Sequence, residues 1–152
     1  DFCLSRGLGD VYKRQLLLIQ LLRYLMDGRL GATGLLAGLA DPKLARAITA
    51  MHDAPQTAWS LEALAAKAGM SRARFAAAFK DAVGVTPGDY LADWRMNVSC
   101  TLLKQGRPVA VVADRVGYGS PNALARAFRV RMGCAPRDWL AQQRGDAALS
   151  GS

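Results

Sequence analysis

The feature that most restricts how this chain can fold is a stretch that occurs twice. Residues 71–95 (SRARFAAAFKDAVGVTPGDYLADWR) superpose on residues 120–144 (SPNALARAFRVRMGCAPRDWLAQQR) without a gap. Ten of the 25 paired positions are identical, among them Ser71/Ser120, Ala76/Ala125, Phe79/Phe128, Gly84/Gly133, Pro87/Pro136, Asp89/Asp138 and Arg95/Arg144. Lys80/Arg129 and Tyr90/Trp139 pair like with like. Upstream, Leu61, Ala65 and Gly69 answer to Val109, Ala113 and Gly117, with one residue inserted at Gly119. The chain therefore carries two copies of one supersecondary unit.

That unit is helical. Val, Ile and Thr together number 16 against 48 Ala plus Leu in 152 residues, a balance that favours helices over strands and predicts an all-α fold. Helix punctuation is regular. Asp41 caps a helix with Pro42 at its first position and Leu44, Ile48 and Met51 as its buried stripe, and Pro55 stops it. Ser60 opens a helix that Gly69 ends, Ser71 caps the next, and Gly84 ends that one. A long connector follows from Pro87 to about Gln105, then a short helix at 109–116. Ser120 and Pro121 open another that runs to Gly133, and Pro136 starts a last helix to about Arg144. Residues 1–13 lack any period and are expected to lie outside the fold, as is the polar tail 145–152. Residues 14–27 read as a helix apolar nearly all round, and the Gly-rich stretch 28–40 as a linker. The folded region is thus expected at 41–144, with its two repeated units at about 60–85 and 109–133.

Within each copy the spacing is that of a helix-turn-helix. Ala65 and Ala113 stand four residues before the turn glycine, small enough for the second helix to cross closely. Gly69 and Gly117 supply the turn itself, where a side chain would strain a left-handed backbone. Phe75 and Phe79, and Leu124 and Phe128, form the inward stripe of the second helix. The connector, 19 residues from Pro87 to Gln105, would span about 28 Å as helix. This is close to the ~34 Å of one turn of B-DNA, so a rigid spacer of that length could set two recognition helices into successive major grooves.

Charge points the same way. Lys and Arg number 20 against 12 Asp and Glu, giving a formal net charge of +8. Within residues 59–144 the ratio is 13 to 6, so most of the excess lies on the repeated units. Such a balance suits a polyanionic partner. No metal-ligand spacing links Cys3, Cys100 and Cys134, no phosphate-binding glycine loop occurs, and no cofactor is expected. The odd cysteine count implies a reducing compartment, hence the cytoplasm, and no apolar run reaches the ~20 residues of a membrane span. His52 reads as a capping or surface residue and Cys100 as a small packed one. Cys134, beside Arg137, lacks a His or Glu to activate it as a nucleophile, so an enzyme is not expected. Trp94 and Trp139 read as core. The chain starts at Asp1 rather than Met and is read as processed or as a fragment of a longer protein.

The run Gly117-Tyr118-Gly119-Ser120, followed by Phe128-Arg129, Gly133, Pro136 and Trp139, resembles the C-terminal signature of AraC/XylS transcriptional regulators, and the likeness covers about residues 41–144. Leu35–Met51 with Trp59–Met70 further resembles members that carry an N-terminal cupin-like sensor barrel, which would make 14–27 the end of that sensor. Leu124, Ala135 and Leu140 depart from the pattern, where Phe, Ser/Thr and Arg are expected. The resemblance implies double-stranded DNA as the partner, with RNA polymerase as a further one and dimerisation through a sensor domain. It places Asn122, Ala125 and Arg126 at base-contacting positions, and Ala73, Ala76 and Ala77 at the matching ones of the first copy. Asn and Arg can pair bidentately with adenine and guanine, whereas alanines can only touch thymine methyls or read shape. Arg72, Arg74, Lys80, Arg129 and Arg131 suit phosphates, as do the helix N-termini at Ser71 and Ser120. The alanine-rich first face also fits a different class of function: a helical interaction module that has kept this fold and lost DNA recognition.

Overall fold

The computed structural model describes residue 18 and residues 37–149, the last four of these as backbone only. The expectations for residues 1–13, for nearly all of 14–27 and for 28–36 lie outside the described residues. Residues 37–40 are helical, and seven helices follow among the described residues. They are α1 (Pro42–Asp53), α2 (Leu61–Ala68), α3 (Arg72–Val83), α4 (Pro87–Lys104), α5 (Val109–Arg115), α6 (Pro121–Met132) and α7 (Pro136–Leu149). No strand occurs among them, as the Ala and Leu excess predicts. The chain divides into two compact units. The first runs up to Tyr90 but leaves out residues 55–58, and the second takes those four residues together with everything from Leu91 onward.

The first unit starts from a cap. Asp41 Oδ1 accepts hydrogen bonds from the Lys43 and Leu44 backbone N–H groups at 2.8 and 3.5 Å, and Pro42 occupies the first helical position, so α1 begins where its donors are satisfied. Leu44, Ala47, Ile48 and Met51 repeat at helical spacing and are buried. They meet Leu64, Ala65 and Ala68 of α2 and the Phe75–Phe79–Val83 stripe of α3, with α1 packed against both helices. Phe75 and Phe79 lie 5.6 Å apart between ring centroids, and Tyr90 stands edge-on to Phe79 at 5.6 Å. Gly38, in the stretch read as linker, is buried: a Cβ there would come within 2.7 Å of Val83 and 3.1 Å of Ile48. The packed unit thus includes residues upstream of the Asp41 cap.

The second unit repeats the plan around Met96, Leu102, Leu103, Val112, Ala113, Val116, Leu124 and Phe128. Trp139 packs edge-on to Phe128 at 5.9 Å, with the Lys104 ammonium 5.2 Å from its ring centroid, and Trp94 is buried. Both tryptophans serve as packing groups, and half-buried Cys100 lies against the same core. Two expectations change here. The connector is more than a spacer: Met96, Leu102 and Leu103 of α4 belong to the core of the second unit, and Leu91 and Trp94 are buried as well. The last helix does not stop near Arg144 but continues to Leu149, so part of the polar tail is helical.

His52 also departs from the surface role expected of it. Its ring is half-buried and stacks on Tyr90 with centroids 5.7 Å apart, and Nε2 lies 2.6 Å from the Tyr90 hydroxyl. Burial pushes its pKa from the ordinary 6.5 down to about 3. Tyr90 lies 38 residues away in the chain, too far for a local reading to pair with His52.

The turn glycines look alike in sequence and differ in space. Gly69 (φ 65°) and Gly117 (φ 82°) both adopt the left-handed backbone, but a Cβ at Gly69 would meet nothing within 4 Å. At Gly117 it would come within 2.7 Å of the Gln56 carbonyl oxygen and 2.9 Å of Gln56 Cα, in the segment 55–58 of the same unit. Gly69→Ala should therefore cost about 1–2 kcal/mol of backbone strain. Gly117→Ala should add an overpacking penalty of about 1–3 kcal/mol, because backbone has to move. Urea unfolding of both variants checks this, and equal losses would remove residues 55–58 from the Gly117 turn.

Because His52 binds its proton less readily in the folded state than in the unfolded one, its contribution to stability is present above the unfolded pKa and is lost as pH falls below it. Unfolding free energy should drop by about 1–2 kcal/mol between pH 6.5 and 5 from this group alone. His52→Gln, which cannot titrate, should flatten that part of the profile in urea melts at each pH.

Candidate nucleic-acid interface

The second helix of each unit is built to leave one face wet. Its aromatic stripe is fully buried: Phe75 and Phe79 on α3, Leu124 and Phe128 on α6, all at 0% exposure. At 100° per residue the opposite face of α6 carries Asn122, Ala125, Arg126 and Arg129. Asn122, Arg126 and Arg129 are exposed and Ala125 is half-buried. The matching face of α3 carries Ala73 and Ala77, both exposed, half-buried Ala76, and exposed Lys80, with exposed Arg72 and Arg74 at its edges. Apart from Arg131, each unit by itself thus gathers the residues predicted for it onto one surface.

The N-termini of these helices are capped by serine. Ser71 Oγ accepts from Arg74 N–H at 3.4 Å, and Ser120 Oγ from Ala123 N–H at 3.1 Å. Neither helix has an acidic residue in its first turn, whereas α2 and α4 have Glu62 and Asp89 there. The partial positive charge at the start of α3 and α6 is therefore left uncompensated by the helix's own first turn. Arg72 makes an ion pair with Glu62 at 3.2 Å, both side chains well exposed, a link weak enough to exchange for a stronger anion.

Arg131 stands apart from the other candidates. It lies on the inward side of α6, is half-buried, and its guanidinium donates to the Asp93 carboxylate of α4. Its phase alone, half a turn from the Asn122–Arg126 face, would have separated it from the phosphate candidates.

Sequence reasoning missed a second set of polar residues beneath this surface. Arg95 Nε donates to the Pro55 carbonyl and its Nη2 to the Thr57 carbonyl, each at 2.8 Å. The same guanidinium lies 5.7 Å from the centroid of the Tyr118 ring, in the turn between α5 and α6. Burial pushes the Tyr118 phenol above its usual pKa, against the pull of the Arg95 and Arg131 cations, and partial burial pushes the Arg95 guanidinium down. The signal was present in part: Arg95 is one of the ten identities of the repeat. Among the described residues no cluster of His, Cys, Asp and Glu could hold a metal ion, and no helix is long and apolar enough to cross a membrane.

Comparison with known proteins follows these features. A family model described as a helix-turn-helix domain matches residues 64–142, which spans both units. An AraC-like transcription regulator of Streptomyces antibioticus is 44% identical over 108 residues, covering 70% of this chain and 36% of the relative. The RCS-specific transcriptional activator RclR of Escherichia coli is 36% identical over 111 residues, 72% of this chain and 39% of that one. The chain belongs to the AraC-type helix-turn-helix family. It spans little more than a third of the length of these relatives. Among solved structures, the DNA-binding domain of AdpA, determined in complex with a target DNA, is 32% identical with a TM-score of 0.63. That alignment covers 70% of this chain and 96% of the AdpA domain. An AraC-type regulator from Chromobacterium violaceum is 26% identical with a TM-score of 0.62, over 68% of this chain and 93% of that one. This AraC-type chain therefore shares with them the paired helix-turn-helix fold of its family.

Proposed function

We propose that this AraC-type chain is the DNA-reading part of a cytoplasmic transcription factor, and that it acts by binding rather than by catalysis. On this reading α3 and α6 enter successive major grooves, with α6 supplying most of the base discrimination. RNA polymerase and a dimerising sensor domain are further partners of the whole protein. The observation that carries the proposal is the face of α6: an amide and two guanidinium groups, Asn122, Arg126 and Arg129, all exposed and backed by buried Leu124 and Phe128. Asn122 and Arg126 sit toward the N-terminal half of the helix, the part that reaches base edges in helix-turn-helix docking. Ala73, Ala76 and Ala77 give the first unit shape complementarity and methyl contacts, while Arg72, Arg74 and Lys80 hold phosphates.

The same alanines support the second reading, an interaction module without DNA recognition, and salt separates the two. Four cations, Arg72, Arg74, Lys80 and Arg129, are exposed on or beside the proposed faces. If all four neutralise phosphates, log affinity for random duplex should fall with log salt at a slope of about −3 to −4, or about a hundredfold between 50 and 200 mM. A binding partner whose affinity ignores salt would favour the interaction module.

Arg126 and Arg129 should fail differently when truncated. On the duplex selected as best from a random pool, Arg126→Ala should cost about 1–3 kcal/mol and relax preference at one or two base pairs, with less effect on random DNA. Arg129→Ala should weaken every duplex about equally and reduce the salt slope by about 1. Equal losses on selected and random DNA for both variants would place Arg126 on the backbone.

A further inference from the structure

We propose that Arg95 is a positioning residue for base reading by the second unit: it fixes the angle at which α6 leaves its turn. The inference rests on the DNA-binding reading of α6 given above. Arg95 touches none of the exposed face. It instead joins three parts of the second unit, which are α4 itself, the segment 55–58 and the α5–α6 turn. Two of its N–H groups are satisfied by the Pro55 and Thr57 carbonyls at 2.8 Å, and its guanidinium carbon lies 5.7 Å from the centroid of the Tyr118 ring. Gly117 allows the 55–58 backbone to lie directly against the turn, since any Cβ would occupy the space of Gln56. Tyr118 is two residues before Ser120, whose hydroxyl caps α6. The other end of α6 is tied to the same helix, because Arg131 donates to Asp93, two residues before Arg95. A single turn of α4 therefore contacts both the turn that leads into the reading helix, through Arg95, and the far end of that helix, through Asp93.

The lever arm makes this anchoring matter. From Arg131 back to Asn122 is nine residues, about 13 Å of helix. A tilt of 10° pivoting at the Arg131 end would move Asn122 by about 2 Å, which breaks a bidentate contact to a base while leaving flexible phosphate contacts able to follow. Lysine cannot replace arginine here. A single ammonium on a flexible stem cannot present two N–H groups to two carbonyls in one fixed fork while its charge stays over the ring.

The test uses the whole 152-residue chain. Preferred duplexes are selected from a random pool for the parent, Arg95→Lys and Tyr118→Leu. Affinities for the parent's selected duplex and for random duplex are then measured at one fixed salt concentration. Arg126→Ala identifies the base pairs read by α6. The expected result for Arg95→Lys is a tenfold or greater loss on the selected duplex and a change of less than twofold on random duplex. Preference should fade at the base pairs marked by Arg126→Ala and persist at the others. Tyr118→Leu, which keeps apolar bulk but removes the ring, should show the same pattern more weakly. It keeps the question answerable should Arg95→Lys lose its cooperative melt. Equal losses on both duplexes, or an unchanged preference in folded variants, overturn the positioning role while leaving DNA reading by α6 intact. A parent chain that selects no sequence overturns both.

Discussion

Everything this chain presents to a partner depends on the burial of two side chains per reading helix, one turn apart. Phe75 and Phe79, and Leu124 and Phe128, are wholly removed from solvent. Each fully buried side chain of this size is worth about 1.5–3 kcal/mol relative to exposure. Two such residues four apart fix the rotation of a 12-residue helix about its own axis, and with it the direction of every outward residue. The wet face is thus a by-product of the dry one. Asn122, Arg126 and Arg129 face outward because Leu124 and Phe128 cannot.

The two copies have used this frame unequally. The first keeps small residues, Ala73, Ala76 and Ala77, on the outward side and places its cations at the edges. The second carries hydrogen-bonding groups on that side and ties its inner cation, Arg131, to Asp93. Duplication followed by divergence accounts for such a pattern: inward changes such as Phe75/Leu124 and Tyr90/Trp139 stay apolar or aromatic because packing holds them, whereas outward ones such as Ala73/Asn122 and Ala77/Arg126 change character. The family match over residues 64–142 covers both copies and treats them as one domain.

How much of this could be read from the sequence alone depended on how local the controlling interaction was. Helix starts at Asp41, Ser60, Ser71 and Ser120 were legible because a cap is decided within three residues. The buried stripes were legible because periodicity is also local. The fates of His52, Arg95 and Gly117 were not, because each is decided by a group about 40 or more residues away: Tyr90, the Pro55 and Thr57 carbonyls, and Gln56. The connector was misjudged for a related reason. Its length is visible in the sequence, but Met96, Leu102 and Leu103 become core only when α5 and α6 fold over them. Among the candidate contacts, Arg131 was misassigned to phosphate although its helical phase would have set it apart, whereas the role of Arg95 required knowing what lies beside the turn.

The membership of residues 55–58 in the second unit has a consequence for how the chain can be divided or made. A cut at residue 91, where the helical plan invites one, would leave the second unit without a piece of itself. Arg95 would then lose two carbonyl acceptors, and the hollow beside Gly117 would stand open. During synthesis the segment emerges about 40 residues ahead of Arg95, which at 5–20 residues per second is an interval of about 2–8 s. In that interval the first three helices can pack, but the second unit cannot be completed. The order of translation therefore seats the downstream reading helix after the first unit has packed, and a proteolytic nick in the 55–58 segment would be felt about 60 residues further along the chain, at Gly117.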